Sequence, residues 1–169
     1  MNKQWWQIVP GQSLIRFKTS LLRVGTITGS FSQFQGTLRS AEGFAFPEIA
    51  VRIAVRSVET YDEHINDFIR SAHFLHPAAH PWIVFSSTGG CAPAGTNIRE
   101  LPGMLMVKAR EMPVTFLVGL GKLTRINTGL FADFSLSGQT RLSDFGLYCF
   151  DDIGDEIRLE ALIRLQRSH

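Results

Sequence analysis

The residues with most chemical potential fall between His64 and His80, where His64, Asp67, Arg70, His73, His76 and His80 crowd into one short stretch. Three histidines in the pattern His-x2-His-x3-His would suggest a metal, but this is not a strong zinc spacing, and Pro77 and Pro81 prevent a shared helical face. A loop carrying surface histidines is the simpler reading, with no metal and no cofactor assigned. Asp67 and Arg70 stand at i and i+3, the spacing of an ion pair on a helix surface. With His73 they form the one polar cluster that merits testing as catalytic. Ser86-Ser87-Thr88 lacks a nucleophile elbow, and Gly119-x-Gly121 lacks the strand-to-helix setting of a dinucleotide loop. A triad built from distant positions stays open. Cys91 and Cys149 have no CxxC spacing and read as free thiols.

Composition narrows the classes. The chain has 169 residues, enough for one well-buried core and short for two domains, so a single domain spanning 1–169 is expected. Hydrophobic residues make up 44%, charged residues 19%, and Phe occurs 13 times, which predicts a folded, aromatic-rich interior. The net charge of +2 comes from cations scattered among acids, so nucleic acid is a poor partner. No run approaches a membrane span, and the start of the chain shows no apolar leader, which predicts a cytoplasmic protein. A homodimer is left open.

The elements that must position any site follow a period of two. Ile49, Val51, Ile53 and Val55 share one face of a strand whose other face carries Arg52 and Arg56. Ile15 and Phe17 oppose Arg16 and Lys18, and Ile157, Leu159, Ala161, Ile163 and Leu165 oppose Arg158, Glu160, Arg164 and Gln166. Further strands are expected near 23–31, 34–40, 82–88, 98–107, 112–121 and 130–141, bounded by Gly, Pro, Asn or Ser clusters. With two segments joined as one bent strand, this predicts an all-β fold of about eight antiparallel strands. One stretch breaks the rhythm: Ile65, Phe68 and Ile69 at i, i+3 and i+4 predict a short amphipathic helix near 62–72. Closing the strands into a barrel removes their edges, and a barrel of this size either packs solid or holds one small ligand.

Particular blocks then resemble the YceI-like family. They are Trp6-Gln7-Ile8-Val9-Pro10 with Ser13 and Phe17, then Gly29-Ser30-Phe31 with Phe34-Gln35-Gly36. Ser57-Val58-Glu59-Thr60, Asp67, Arg70-Ser71-Ala72-His73-Phe74-Leu75 and Pro81-Trp82-Ile83-Val84-Phe85-Ser86 follow in order, and Asp144-Phe145-Gly146 and Ile153-Gly154-Asp155 complete the run. The chain departs from that pattern at Lys108-Ala109-Arg110, where the family has a Gly-containing turn, and at Leu142, where it has an Arg. The resemblance implies an extended, eight-stranded, lipocalin-like barrel that binds amphiphiles, notably polyisoprenoid or quinone-like molecules, in an apolar tunnel.

A prenyl or fatty-acyl chain offers no hydrogen bonds, so its receptor needs apolar area in a concave, water-excluding space. Burying one isoprene unit is worth about 3 to 4 kcal/mol at ~0.8 kcal/mol per methylene, before ordering costs. The expected lining is Phe17, Val51, Ile53, Phe85, Val114, Phe116, Phe134 and Leu136 from strands, with Ile65, Phe68 and Phe74 closing one end. The expected function is non-catalytic binding, storage or transport of such a lipid. Two alternatives stand beside it: an enzyme acting on the lipid, and a filled barrel that uses Trp5, Trp6 or Trp82 as partner anchors.

Overall fold

The computed structural model describes residues 3–21, 25–40, 47–89, 92–95, 97–148 and 153–168. Alternating apolar positions carry the chain through β1 (Gln4–Ile8), and a 3-10 turn at Pro10–Gln12 passes it to β2 (Leu14–Leu21). β3 (Gly25–Phe31) runs on into β4 (Phe34–Ser40), and β5 (Glu48–Ala54) into β6 (Val58–Thr60) across a 3-10 turn at Val55–Ser57. Each pair is one long stave with a break, and the breaks lie side by side. The Ala54 N–H donates to the Gln33 carbonyl at 2.9 Å and the Ser32 N–H to the Ser57 carbonyl at 3.2 Å. The strand expected to run to Arg56 therefore ends at Ala54, where the Ser57 hydroxyl bonds the Ala54 carbonyl at 2.7 Å and turns the chain.

The remaining strands are β7 (Trp82–Ser87), β8 (Ala92–Gly95), β9 (Ile98–Val107), β10 (Arg110–Ile126), β11 (Gly129–Arg141) and β12 (Ile153–Arg167). Hydrogen bonding runs β1-β4-β5-β7-β9-β10-β11-β12, and β12 pairs back with β1, so the barrel is closed, antiparallel and eight-stranded. β2 lies along the first part of β12, followed by β3 and β6, which extends three of the staves toward one end. β8 pairs with β9, beside the ring. We call the end holding the β9–β10 turn the lower end and the end holding the start of β1 the upper.

Beyond β6 the lower end is covered by α1 (Glu63–Ile69) and the segment after it. Asp62 caps the helix, accepting from the His64 N–H at 2.8 Å. Asn66, buried, ties it to β6: its Oδ1 accepts from the Thr60 N–H at 2.7 Å and the Thr60 hydroxyl at 2.6 Å. Ile69, Phe74 and Leu75 turn inward and join the main core. A smaller core at the upper end gathers Trp6, Leu38, Ala132 and Leu165. Among the described residues no helix is long and apolar enough to cross a membrane.

Candidate functional site

The inner wall is built from alternate residues, and three of its phenylalanines lie against glycines. The ring of Phe17 occupies the space a Cβ would take at Gly29, that of Phe85 the same space at Gly103, and that of Phe116 the space at Gly138. Each glycine sits on the adjacent strand. A Cβ at Gly138 would meet Phe116 Cδ1 at 2.8 Å, closer than real contacts allow. The rings therefore lean along the wall, and the middle of the barrel stays open.

That opening is a cavity of about 210 Å³ in the lower half. Its wall is almost wholly apolar. Phe17, Val51, Ile53, Phe85, Phe116 and Leu136 contribute from strands, and Ile65, Phe68 and Phe74 from the helix and its exit. Phe85 and Phe116 meet edge to face at 5.0 Å, and the rings of Phe68 and Phe74, tilted by 35°, lie 5.2 Å apart. A second chamber of about 70 Å³ lies toward the upper end, and Val51, Leu136 and Ile163 border both. Phe134 lines this upper chamber, whereas Val114 is buried in the core without bordering either space.

Polar groups near the lumen are mostly spent on structure. The Thr19 hydroxyl donates to the carbonyls of Gly154 at 2.8 Å and Glu156 at 3.1 Å, where β12 departs from regular register. On the outer face Arg16 pairs with Glu160 at 2.7 Å, and Arg164 clasps Asp133 at 2.8 and 2.9 Å. The hydrogen bond from Arg16 holds the Glu160 carboxyl below its ordinary value, and that from Arg164 does the same for Asp133.

The polar cluster read from the sequence stays outside. His64, Asp67 and His73 are exposed, and the rings of His76 and His80 lie 6.1 Å apart. Among the described residues no three metal-ligating side chains converge. Arg70 does not pair with Asp67. It reaches back over the helix to the Val58 carbonyl at 2.6 Å, the Arg56 carbonyl at 3.3 Å and Glu63 at 3.7 Å, because the helix packs on β6 and offers those acceptors. Trp82 faces outward under the Arg52 guanidinium, 4.3 Å from its ring, and Trp5 lies beneath Arg39, while Trp6 is buried. Cys91 and Cys149 lie outside the described residues.

Several lining residues escaped the sequence reading. Leu105 and Val107 lie on a strand whose outer positions, Met104 and Met106, are also apolar, so alternation gave no direction there. Leu142, Phe145 and Leu147 come from a 3-10 turn and its exit, where no period of two exists. Arg99 lines the upper chamber at the head of β9, in phase with Leu101, Gly103, Leu105 and Val107.

A model of the YceI-like domain matches residues 6–165. The chain belongs to the YceI-like family. Among curated relatives this YceI-like chain is 30% identical over 141 residues to a UPF0312 protein of Azotobacter vinelandii, covering 80% of the chain and 71% of that protein. It is 29% identical over 139 residues to the protein YceI of Escherichia coli O157:H7, with 80% and 71% covered. In structure the YceI-like barrel is similar to BcnA of Burkholderia cenocepacia, with a TM-score of 0.82 at 19% identity, covering 93% of this chain and 98% of that one. It also resembles a polyisoprenoid binding domain from Saccharophagus degradans, with a TM-score of 0.66 at 11% identity, covering 96% and 98%. These likenesses carry the YceI-like fold.

Proposed function

We propose that this YceI-like chain binds a long apolar amphiphile, a polyisoprenoid or quinone-like lipid, in its lumen and stores or carries it without chemical change. The observation that supports this most is the apolar cavity of about 210 Å³, with a second chamber that shares Val51, Leu136 and Ile163 with it. A dry space walled by Phe, Ile, Leu and Val offers no hydrogen bonds to a polar guest and rewards a hydrocarbon one. The binding residues in this reading are the lining set expected from the sequence, with Phe134 in the upper chamber and Val114 in the core beside them. The polyisoprenoid-binding domain of Saccharophagus degradans shares the architecture, which favours the prenyl class.

Protein purified without detergent, examined by native mass spectrometry and by organic extraction with lipid analysis, tests the reading. A co-purifying apolar molecule, or stoichiometric uptake of a prenyl or acyl lipid offered afterwards and recovered unchanged, is the expected result. Failure to take up any such lipid overturns it.

A further inference from the structure

We infer that Arg99 holds an anionic headgroup, phosphate or carboxylate, of the bound amphiphile at the upper end of the lumen, with the tail directed toward α1. The inference rests on the lipid-binding reading above and adds to it the ligand's headgroup charge and orientation.

Arg99 is half-buried and lines the upper chamber beside Leu101, Val118 and Leu120. Among the described residues it has no ion pair and no side-chain hydrogen bond, whereas arginines of the outer face are matched. Arg16 has Glu160, and Arg164 has Asp133. The described lining of the upper chamber contains no carboxylate: Thr37, Pro47, Ile49 and Phe134 face Arg99's chamber from the other staves. Glu100, next along β9, is exposed and on the opposite face of the strand.

Arg99 sits half-buried at the head of β9 with an apolar chamber beside its stem, where an unpaired guanidinium can supply the counter-charge for a headgroup whose tail occupies that chamber. The planar fork of the guanidinium suits a carboxylate or a phosphate and forms strong, charge-assisted bonds with either. The larger chamber lies at the other end and has no comparable unpaired charge among its described lining, so it suits the tail.

The test uses two matched pairs of probes, farnesyl phosphate against farnesol and palmitate against methyl palmitate, titrated calorimetrically into lipid-stripped protein. In the wild type at least one anionic probe should bind about tenfold more tightly than its neutral partner, the phosphate or the carboxylate pair identifying the headgroup. Arg99→Met, which keeps the apolar stem, should erase that preference while leaving the neutral probes unchanged, and Arg99→Lys should retain part of it. Arg158→Met, on the outer face of β12, should leave it intact and so controls for net charge. Equal binding within both pairs in the wild type overturns the inference without needing any variant, and so does a preference that survives Arg99→Met. Both results would leave lipid binding standing. If no probe of any kind binds, the lipid-binding reading itself falls, and this inference with it.

Discussion

The ring of Phe85 sits where a Cβ on Gly103 of the neighbouring strand would have to be. Two of the bulkiest inward groups, Phe85 and Phe116, can therefore meet edge to face beside the wall and leave the axis of the barrel clear. Space for a guest is created by what is missing from the glycines as much as by what lines the cavity.

Gly103→Ala should drive the Phe85 ring toward the lumen. Overpacking of this kind costs about 1 to 3 kcal/mol, so the urea midpoint should fall, and lipid uptake should fall with it. Adding Phe85→Leu to Gly103→Ala should recover part of both, since the Ser86 carbonyl, 2.7 Å from the same Cβ position, still resists. A single Gly103→Ala protein that keeps full stability and uptake would contradict the wall geometry.

Ile53→Trp should fill the lower cavity from β5. Uptake of a prenyl or acyl lipid should drop at least about tenfold, while far-ultraviolet circular dichroism still reports an intact sheet. Undiminished uptake would move the binding site elsewhere.

Asn66→Ala removes the acceptor that ties α1 to β6 and strands the Thr60 N–H. A buried donor left without a partner costs about 1 to 3 kcal/mol. Hydrogen exchange should rise first across residues 60–70, and lipid should leave faster, since this element covers the lower end. Exchange that rises evenly across all strands would argue against a separable cover.

The turn between β9 and β10 holds Lys108 at φ 52° and Ala109 at φ 63°, both left-handed. Two-residue hairpin turns of this kind favour Asn-Gly, and Ala there is strained. Ala109→Gly should raise stability by about 1 kcal/mol, read as a higher denaturant midpoint at unchanged slope.

Asp133 and Glu160 both have carboxyls held below their ordinary values of 3.8 and 4.5 by arginine hydrogen bonds. Depressed folded-state values contribute stability that is fully present above the unfolded values and is lost as pH falls through the lowered ones. Stability from these pairs should be level between neutral pH and about pH 5 and decline below about pH 4. Because the pairs are partly solvated the effect is small. Asp133→Asn should shrink the acid decline, and an unchanged profile of urea midpoint against pH would show that the Arg164 pair contributes nothing.

The strands were legible wherever one face is dry and the other charged, as in Ile49 to Ile53 against Arg52 or Ile157 to Leu165 against Arg158 and Arg164. The helix was legible from Ile65, Phe68 and Ile69. Two things were hidden. The breaks at Pro10–Gln12 and Val55–Ser57 lie beside hydrogen bonds to neighbouring staves, such as Val9 to Arg164, Ala54 to Gln33 and Ser32 to Ser57, which no local pattern encodes. The lumen depends on which glycine each phenylalanine covers, and that is a matter of cross-strand register. Arg99 was hidden for a milder reason: its strand is apolar on both faces below it, so its inward phase emerges only once the ladder to Val118 is fixed.

β12 carries β11 on one edge and, along the other, β2 and then β1. On a ribosome it is the last of these strands to emerge, yet its partners on one side are the first made. Until it arrives the sheet is an unclosed ribbon with greasy inner faces and two raw margins, the kind of species that invites wrong pairing. Closure also demands contacts between residues separated by most of the chain, which slows folding. A chain made in this order therefore passes through a stage in which the apolar faces that later enclose the lumen lie open along one side.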